Sequence, residues 1–231
     1  MIKIYCDTAD IKTIQKCIRK YRVDGITTNP SIMRANGVKN YLNHCNKIVK
    51  ISKQKPLSVE VFADDNNEIL YQANKISRIG KNIFVKVPIL NTKNKYLTNI
   101  IKVLNTQKVK INITAVFTFS QVLKIKKVID KKTPVIISLF CGRIADNGLD
   151  PELLVKKTCA IFKSYKNVKI LWASTREVFN FYQAKRSGCH IITMGPNFIE
   201  KLKSKKISLN EYTRKTVIQF YEDGKKSKFK I

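Results

Sequence analysis

A chain of 231 residues suits one large α/β domain, and 44% hydrophobic residues are ample for its core. A formal charge of +29, from 45 Lys+Arg against 16 Asp+Glu, would suit a nucleic-acid binder, yet the basic residues run along the whole chain. No apolar run approaches the ~18 residues of a membrane span, and six dispersed cysteines without a CxxC pair, beside two distant histidines, argue against zinc.

The predicted elements alternate between short β-rich runs and longer segments of helical period. Ile2–Asp7 reads as a strand, followed by a helix over Ala9–Tyr21 with Ile11, Ile14 and Ile18 at helical spacing. Gly25–Thr28 is a short strand closed by the turn signal Asn29-Pro30. A helix around Tyr41–Lys53 leads to the strand Leu57–Phe62, and the helix Asn66–Ile79 stops at Gly80. The strand Ile83–Val87 precedes a helix near Tyr96–Asn105. Val109–Thr114 and Pro134–Phe140 are strands flanking a helix from about Phe119 to Asp130. Pro151–Tyr165 is a helix with proline in its first turn. Then come strand Val168–Trp172, helix Glu177–Ser187, strand His190–Met194 and a helix over Pro196–Lys203. A helix near Asn210–Asp223 and a basic tail close the chain. Eight strand-then-helix units point to one α/β domain over residues 1–231, a (β/α)8 barrel with an extra C-terminal helix from about residue 210. An open doubly wound sheet is the alternative, weakened by the absence of any Gly-rich phosphate loop.

Within Ile83–Leu90 a lysine, Lys86, interrupts an apolar run that reads as a strand buried on both faces. Desolvation disfavours a bare ammonium, and a free amine in a dry pocket can attack a carbonyl to form a Schiff base. The plainer reading is a lysine near a strand end that snorkels to water. In a barrel of this kind the active site lies at the C-terminal strand ends. Those ends carry Asp7, Asn29, Glu60, Lys86, Asn112 with Thr114, Ser138 with Phe140, and Ser174, while Arg143 and Arg176 lie in the loops just beyond. Singly each has a plain explanation: Asp7 could cap the next helix, and Asn29 could serve its turn. Together they supply an amine, two carboxylates and two guanidiniums, the groups needed for imine chemistry on a phosphorylated carbonyl compound.

The motifs that hold these residues carry a resemblance. Tyr5-Cys-Asp-Thr-Ala9, Asp24-Gly-Ile-Thr-Thr-Asn-Pro-Ser31, Phe84-Val-Lys-Val-Pro88, Ile111-Asn-Ile-Thr114, Phe140-Cys-Gly-Arg-Ile144 and Trp172-Ala-Ser-Thr-Arg176 stand in collinear order. In these the chain resembles the small transaldolases and fructose-6-phosphate aldolases, class I aldolases on a (β/α)8 barrel. The resemblance implies that Lys86 forms the imine with the ketose C2, that Asp7 takes the C4 hydroxyl proton, and that Glu60 moves protons through a water. It implies that Thr28, Asn29, Asn112, Thr114, Ser138 and Phe140 line the substrate, and that Arg143, Ser174 and Arg176 bind its phosphate. Aldolase members carry glutamine at the position of Glu60 and tyrosine at that of Phe140, so the chain looks closer to transaldolase. The implied reaction moves a dihydroxyacetone unit from fructose 6-phosphate or sedoheptulose 7-phosphate to an aldose phosphate, a step of the pentose phosphate pathway. Met194-Gly195-Pro196 departs from the Ile-Pro-Pro of many small transaldolases. A different phosphosugar acceptor is therefore an open alternative.

No cofactor or metal is expected, because the iminium itself withdraws electrons. The expected partners are sugar phosphates, with no membrane; a basic nucleic-acid-binding module on a degenerate barrel is the competing reading. The two denser basic patches, Lys124–Lys132 and Lys225–Lys230, lack the row of aromatic residues that stacks on successive bases. Dispersed cysteines behind an opening Met1–Asp10 without a long apolar stretch fit reduced thiols in a cytoplasm. The resemblance further implies a homo-oligomer, a pentamer or decamer, with the last helix laid on a neighbour.

Overall fold

The computed structural model describes residues 1–229; residues 230 and 231, with Lys230 of the second basic patch, lie outside the described residues. Eight parallel strands close into a barrel in chain order. They are β1 (Lys3–Asp7), β2 (Gly25–Thr27), β3 (Leu57–Glu60), β4 (Ile83–Pro88), β5 (Ile111–Val116), β6 (Val135–Leu139), β7 (Val168–Trp172) and β8 (Ile191–Met194). The pairing of Lys3 with Ile191 and of Cys6 with Met194 joins β1 to β8, which excludes the open sheet. Closure leaves no strand edge unpaired.

Helices α1 (Ile11–Lys16), α2 (Pro30–Ala35), α3 (Tyr41–Ile51), α4 (Asn66–Ser77), α5 (Thr98–Thr106) and α6 (Phe119–Lys126) come from the first two thirds of the chain. Helices α7 (Cys141–Asp146), α8 (Glu152–Ile161), α9 (Phe179–Arg186), α10 (Pro196–Lys203) and α11 (Leu209–Ser227) follow. Helix α1 runs on as a π-helix over Cys17–Tyr21, so the predicted helix from Ala9 is two segments with a change of winding. Two short helices, α2 and α7, stand where sequence periodicity showed none. Asn29 supplies the start of α2, its side chain accepting from Ile32 N at 2.9 Å with Pro30 at the first helical position. β5 begins two residues later than its sequence suggests. Ala115 takes a left-handed φ of 55°, and the pairing with β6 shifts between Ile113 and Val116, a bulge that carries the strand past Thr114.

Alternation along each strand sorts side chains to the two faces of the barrel wall. Ile4, Cys6, Leu57, Val59, Ile83, Val85, Val87, Ile111 and Ile113 are buried in the large cluster between barrel and helices. Tyr5, Ile136, Leu171, Ala173 and Ile191, with Phe84 and Phe140 against them, form a separate smaller cluster. Gly25 leaves room for that cluster, since a Cβ there would lie 2.6 Å from the Tyr5 ring. Fully burying a Leu, Ile or Val contributes about 1.5–3 kcal/mol each. The outer layer, with most of them, carries the larger share of the stabilisation and leaves the strand ends free for polar groups.

Helix α11 is different. None of its residues is buried, and Leu209, Tyr212, Val217, Phe220 and Tyr221 stand exposed. No helix among the described residues is long and apolar enough to cross a membrane.

Candidate active site

Strand register brings three of the predicted groups side by side. Glu60 on β3 pairs with Lys86 on β4, and Lys86 pairs with Asn112 on β5. Lys86 is 6% exposed, yet its ammonium is not bare. Nζ lies 2.9 Å from Glu60 Oε2 and donates to the Thr28 carbonyl oxygen at 3.0 Å. Glu60 therefore touches the lysine directly. Its own backbone is held from α3, where the Tyr41 hydroxyl donates to the Glu60 carbonyl at 2.7 Å.

Asn112 links β3 and β6 through its side chain. Its Nδ2 donates to Ser58 Oγ at 3.0 Å, and its Oδ1 accepts from Ser138 Oγ at 2.7 Å, all three side chains being buried. Thr114 is buried without a hydrogen-bond partner for its hydroxyl. An orphaned hydroxyl on the wall of a cavity is a natural contact for a substrate hydroxyl or carbonyl.

Asp7 ends β1, where its Oδ1 accepts from Thr27 Oγ1 at 2.6 Å. It does not cap α1; Asp10 does, accepting from Thr13 N at 2.7 Å. Burial pushes the Asp7 carboxyl above the usual carboxylate range, and nearby Glu60 adds to that rise. Lys86 and the Thr27 hydroxyl pull the other way.

A cavity of about 120 Å³ opens at this end of the barrel. Asp7, Asn29, Lys86, Asn112, Thr114, Ser138, Phe140, Arg143 and Ser174 line it, and so do four residues that sequence reasoning missed: Thr27, Leu171, Ala173 and Thr193. Thr28 is not on the wall; its side chain is fully buried and only its carbonyl reaches the lysine. Position parity along β2 was the available signal, because Thr27 and Asn29 share a face that Thr28 does not.

The side of the cavity that carries Arg143 is built from α7 and the loop after β7. Arg143 lines the cavity with its guanidinium over the Phe140 ring, 5.2 Å from the centroid. Phe140 in turn packs on Phe117 at 5.4 Å. Ser174 takes a left-handed φ of 64°, and its carbonyl sits so close to Gly142 that a Cβ there would come within 1.6 Å of it. Arg176 stands apart from the wall. Its Nε donates to Asp146 Oδ2 at 2.9 Å, and half of its side chain is exposed. Among the described residues no group of three or more His, Cys, Asp or Glu is placed to hold a metal ion.

A buried lysine beside two carboxylates at the C-terminal mouth of a (β/α)8 barrel, with a guanidinium on the same wall, defines an aldolase-type site. The chain belongs to the Transaldolase/Fructose-6-phosphate aldolase family, whose pattern it matches over residues 4–231. It is 32% identical to a probable transaldolase of Herpetosiphon aurantiacus over 202 residues, 87% of each chain. It is 30% identical to one of Bartonella henselae over 227 residues, 98% of each, and 27% identical to one of Thermoanaerobacter sp. over the full length of both. Among solved structures it is similar in fold to N-acetylneuraminate lyase from Mycoplasma synoviae, with TM-score 0.55 and 10% identity, covering 98% of this chain and 74% of that one. Thiamine phosphate pyrophosphorylase from Pyrococcus furiosus gives TM-score 0.57 at 10% identity, covering 87% and 94%. At such identities these two speak to the barrel alone.

The raised Asp7 carboxyl has a measurable consequence for stability. A carboxyl whose pKa in the fold lies above its unfolded value near 3.9 favours the fold most at pH below that value. That contribution is lost as pH rises through the folded pKa. Asp7→Asn removes the charge while keeping an acceptor for Thr27, so the variant should melt above the parent near pH 7. The gap should close as pH falls below about 4. Calorimetry across that range checks it; a variant that melts lower near neutral pH contradicts the balance of charges described.

Proposed function

We propose that the chain is a transaldolase, moving a dihydroxyacetone unit from fructose 6-phosphate or sedoheptulose 7-phosphate to an aldose phosphate through an imine on Lys86. The observation that carries this reading is the buried Lys86 amine on the cavity wall, 2.9 Å from Glu60 and flanked by Asp7 and Asn112.

In this reading Nζ gives up a proton to Glu60 and attacks C2 of the open-chain ketose. In the carbinolamine a second proton passes from the nitrogen to the C2 oxygen, and Glu60 returns the first as that oxygen leaves as water, giving the iminium. Asp7 then takes the C4 hydroxyl proton, the C3–C4 bond breaks, and its electron pair moves into the iminium as an enamine. The aldose phosphate departs and an acceptor takes its place, so the steps run back on a new aldehyde. Asn112, Thr114 and Ser138 hold the three-carbon unit, while Arg143 and Ser174 receive the phosphate, a dianion suited to a guanidinium fork. Release of free dihydroxyacetone would require protonation of the enamine carbon. Phe140 presents no hydroxyl on that side of the cavity, which favours transfer over cleavage. An aldolase that releases free dihydroxyacetone is the alternative within the same family.

The exposed apolar side chains of α11 support a homo-oligomer in which this helix lies on a neighbouring copy. Sedimentation should return a multiple of the 26.6 kDa chain; a monomer at micromolar concentration would remove this part of the reading.

Borohydride added with fructose 6-phosphate should leave a covalent adduct on the peptide containing Lys86 and inactivate the protein. Lys86→Arg keeps the charge without a neutral nucleophile, so its turnover should vanish. An adduct on a different lysine sinks the assignment.

The two arginines should differ. Arg143 faces the cavity, and a charge-assisted hydrogen bond is worth roughly 1.5–3 kcal/mol. Arg143→Ala should then lower kcat/KM for fructose 6-phosphate by about 10- to 150-fold, with a much smaller loss on unphosphorylated fructose. Arg176→Ala, whose guanidinium already rests on Asp146, should cost less than Arg143→Ala. Equal losses for Arg143→Ala on both sugars would give that residue a structural role in place of a phosphate contact.

A further inference from the structure

The base Asp7 does not hang from one hydroxyl but from two in series. Thr27 Oγ1 lies 2.6 Å from Asp7 Oδ1 and 2.5 Å from Thr193 Oγ1, and both threonines are buried. A carboxylate can only accept, so the single Thr27 hydroxyl proton goes to Asp7. The Thr27–Thr193 contact must then be donated by Thr193, leaving its proton on the short line between the two oxygens. Each donor in such a chain polarises the next, and the bond at the far end is strengthened.

We propose that Thr193 is a positioning residue for the base, acting on Asp7 through the Thr27 hydroxyl. The proposal rests on the reading of Asp7 as the group that takes the C4 hydroxyl proton. β8 is fixed from outside as well: the Thr193 carbonyl accepts from Thr175 Oγ1 at 2.6 Å, so the backbone behind the donor is held by the loop that carries Ser174. The side chain is therefore presented from a braced strand, not from a mobile rim.

The charged groups around Asp7 set what the relay must work against. Lys86 from β4 favours the carboxylate, whereas Glu60 from β3 and burial oppose it. Arg143 from α7 lines the same cavity. β2 and β8 contribute no charge at this point, only the two hydroxyls. Removing the outer hydroxyl weakens the inner bond, and ionisation of Asp7 moves to higher pH.

The experiment is a titration of the whole protein labelled with carbon-13 at the aspartate carboxyls, with Asp7→Asn identifying the Asp7 signal. Thr193→Val keeps the branched shape and loses the hydroxyl; Thr193→Ser keeps the hydroxyl and loses the methyl. The Asp7 midpoint should rise by about half a unit to one unit in Thr193→Val and return toward the parent value in Thr193→Ser. The acid limb of kcat/KM for fructose 6-phosphate with erythrose 4-phosphate as acceptor should move by the same amount. Should Thr193→Val fail to fold, Thr193→Ala takes its place in the same titration. An unmoved midpoint, or a rise that serine does not reverse, overturns the proposal. A midpoint that moves in a protein giving no borohydride adduct on Lys86 would keep the relay and overturn the imine reading instead.

Discussion

Every other feature of the site depends on the contact between Lys86 and Glu60. An ammonium this deeply buried is costly unless a counter-charge and acceptors replace its water. Glu60 at the end of β3 and the Thr28 carbonyl just past β2 do so at 2.9 and 3.0 Å. Breaking a buried pair by removing one member typically costs 3–5 kcal/mol, since the other charge is then stranded. The register that sets Glu60 opposite Lys86 is thus a requirement of folding. It also fixes Asn112 on the far side of the lysine, and through Asn112 the hydroxyls of Ser58 and Ser138.

Charge acts on two scales. The +29 of the whole chain is a diffuse field that raises the encounter rate with anions and is screened by salt over about 8–10 Å. Part of it is carried by lysines folded over single aromatic rings, as Lys75 is over Tyr71 and Lys124 over Tyr96, at 4.4 and 4.6 Å. A lysine lying over a ring competes with a nucleobase for that face. Within the cavity the balance is different: Asp7 and the contact of Glu60 with Lys86 bring negative charge close to two cations, so selection there follows position more than net sign.

The architecture was legible because eight apolar runs alternate with helical periods, a pattern that few folds share. That these strand ends gather polar groups was legible for a related reason, since Asp7, Glu60, Lys86 and Asn112 are polar interruptions of apolar strands. Thr27 and Thr193 escaped notice because threonine is an ordinary strand residue and interrupts nothing. Helices α2 and α7, six residues each, are shorter than the window over which helical period can be recognised. The shift of β5 follows from a non-glycine residue in a left-handed conformation, Ala115, which no local rule anticipates. The Arg176 guanidinium pairs with Asp146 on α7, a contact between residues 30 positions apart in the chain that no local pattern anticipates.

The close approach of Gly142 to the Ser174 carbonyl reaches beyond local packing. It joins the start of α7 to the loop after β7 so tightly that neither can drift without the other, and the seam admits no side chain at all. Any side chain at position 142 would have to push the two apart. Room for a bulkier ligand at this end would therefore have to come from elsewhere on the wall, where Ala173 beside Ser174 carries the smallest side chain.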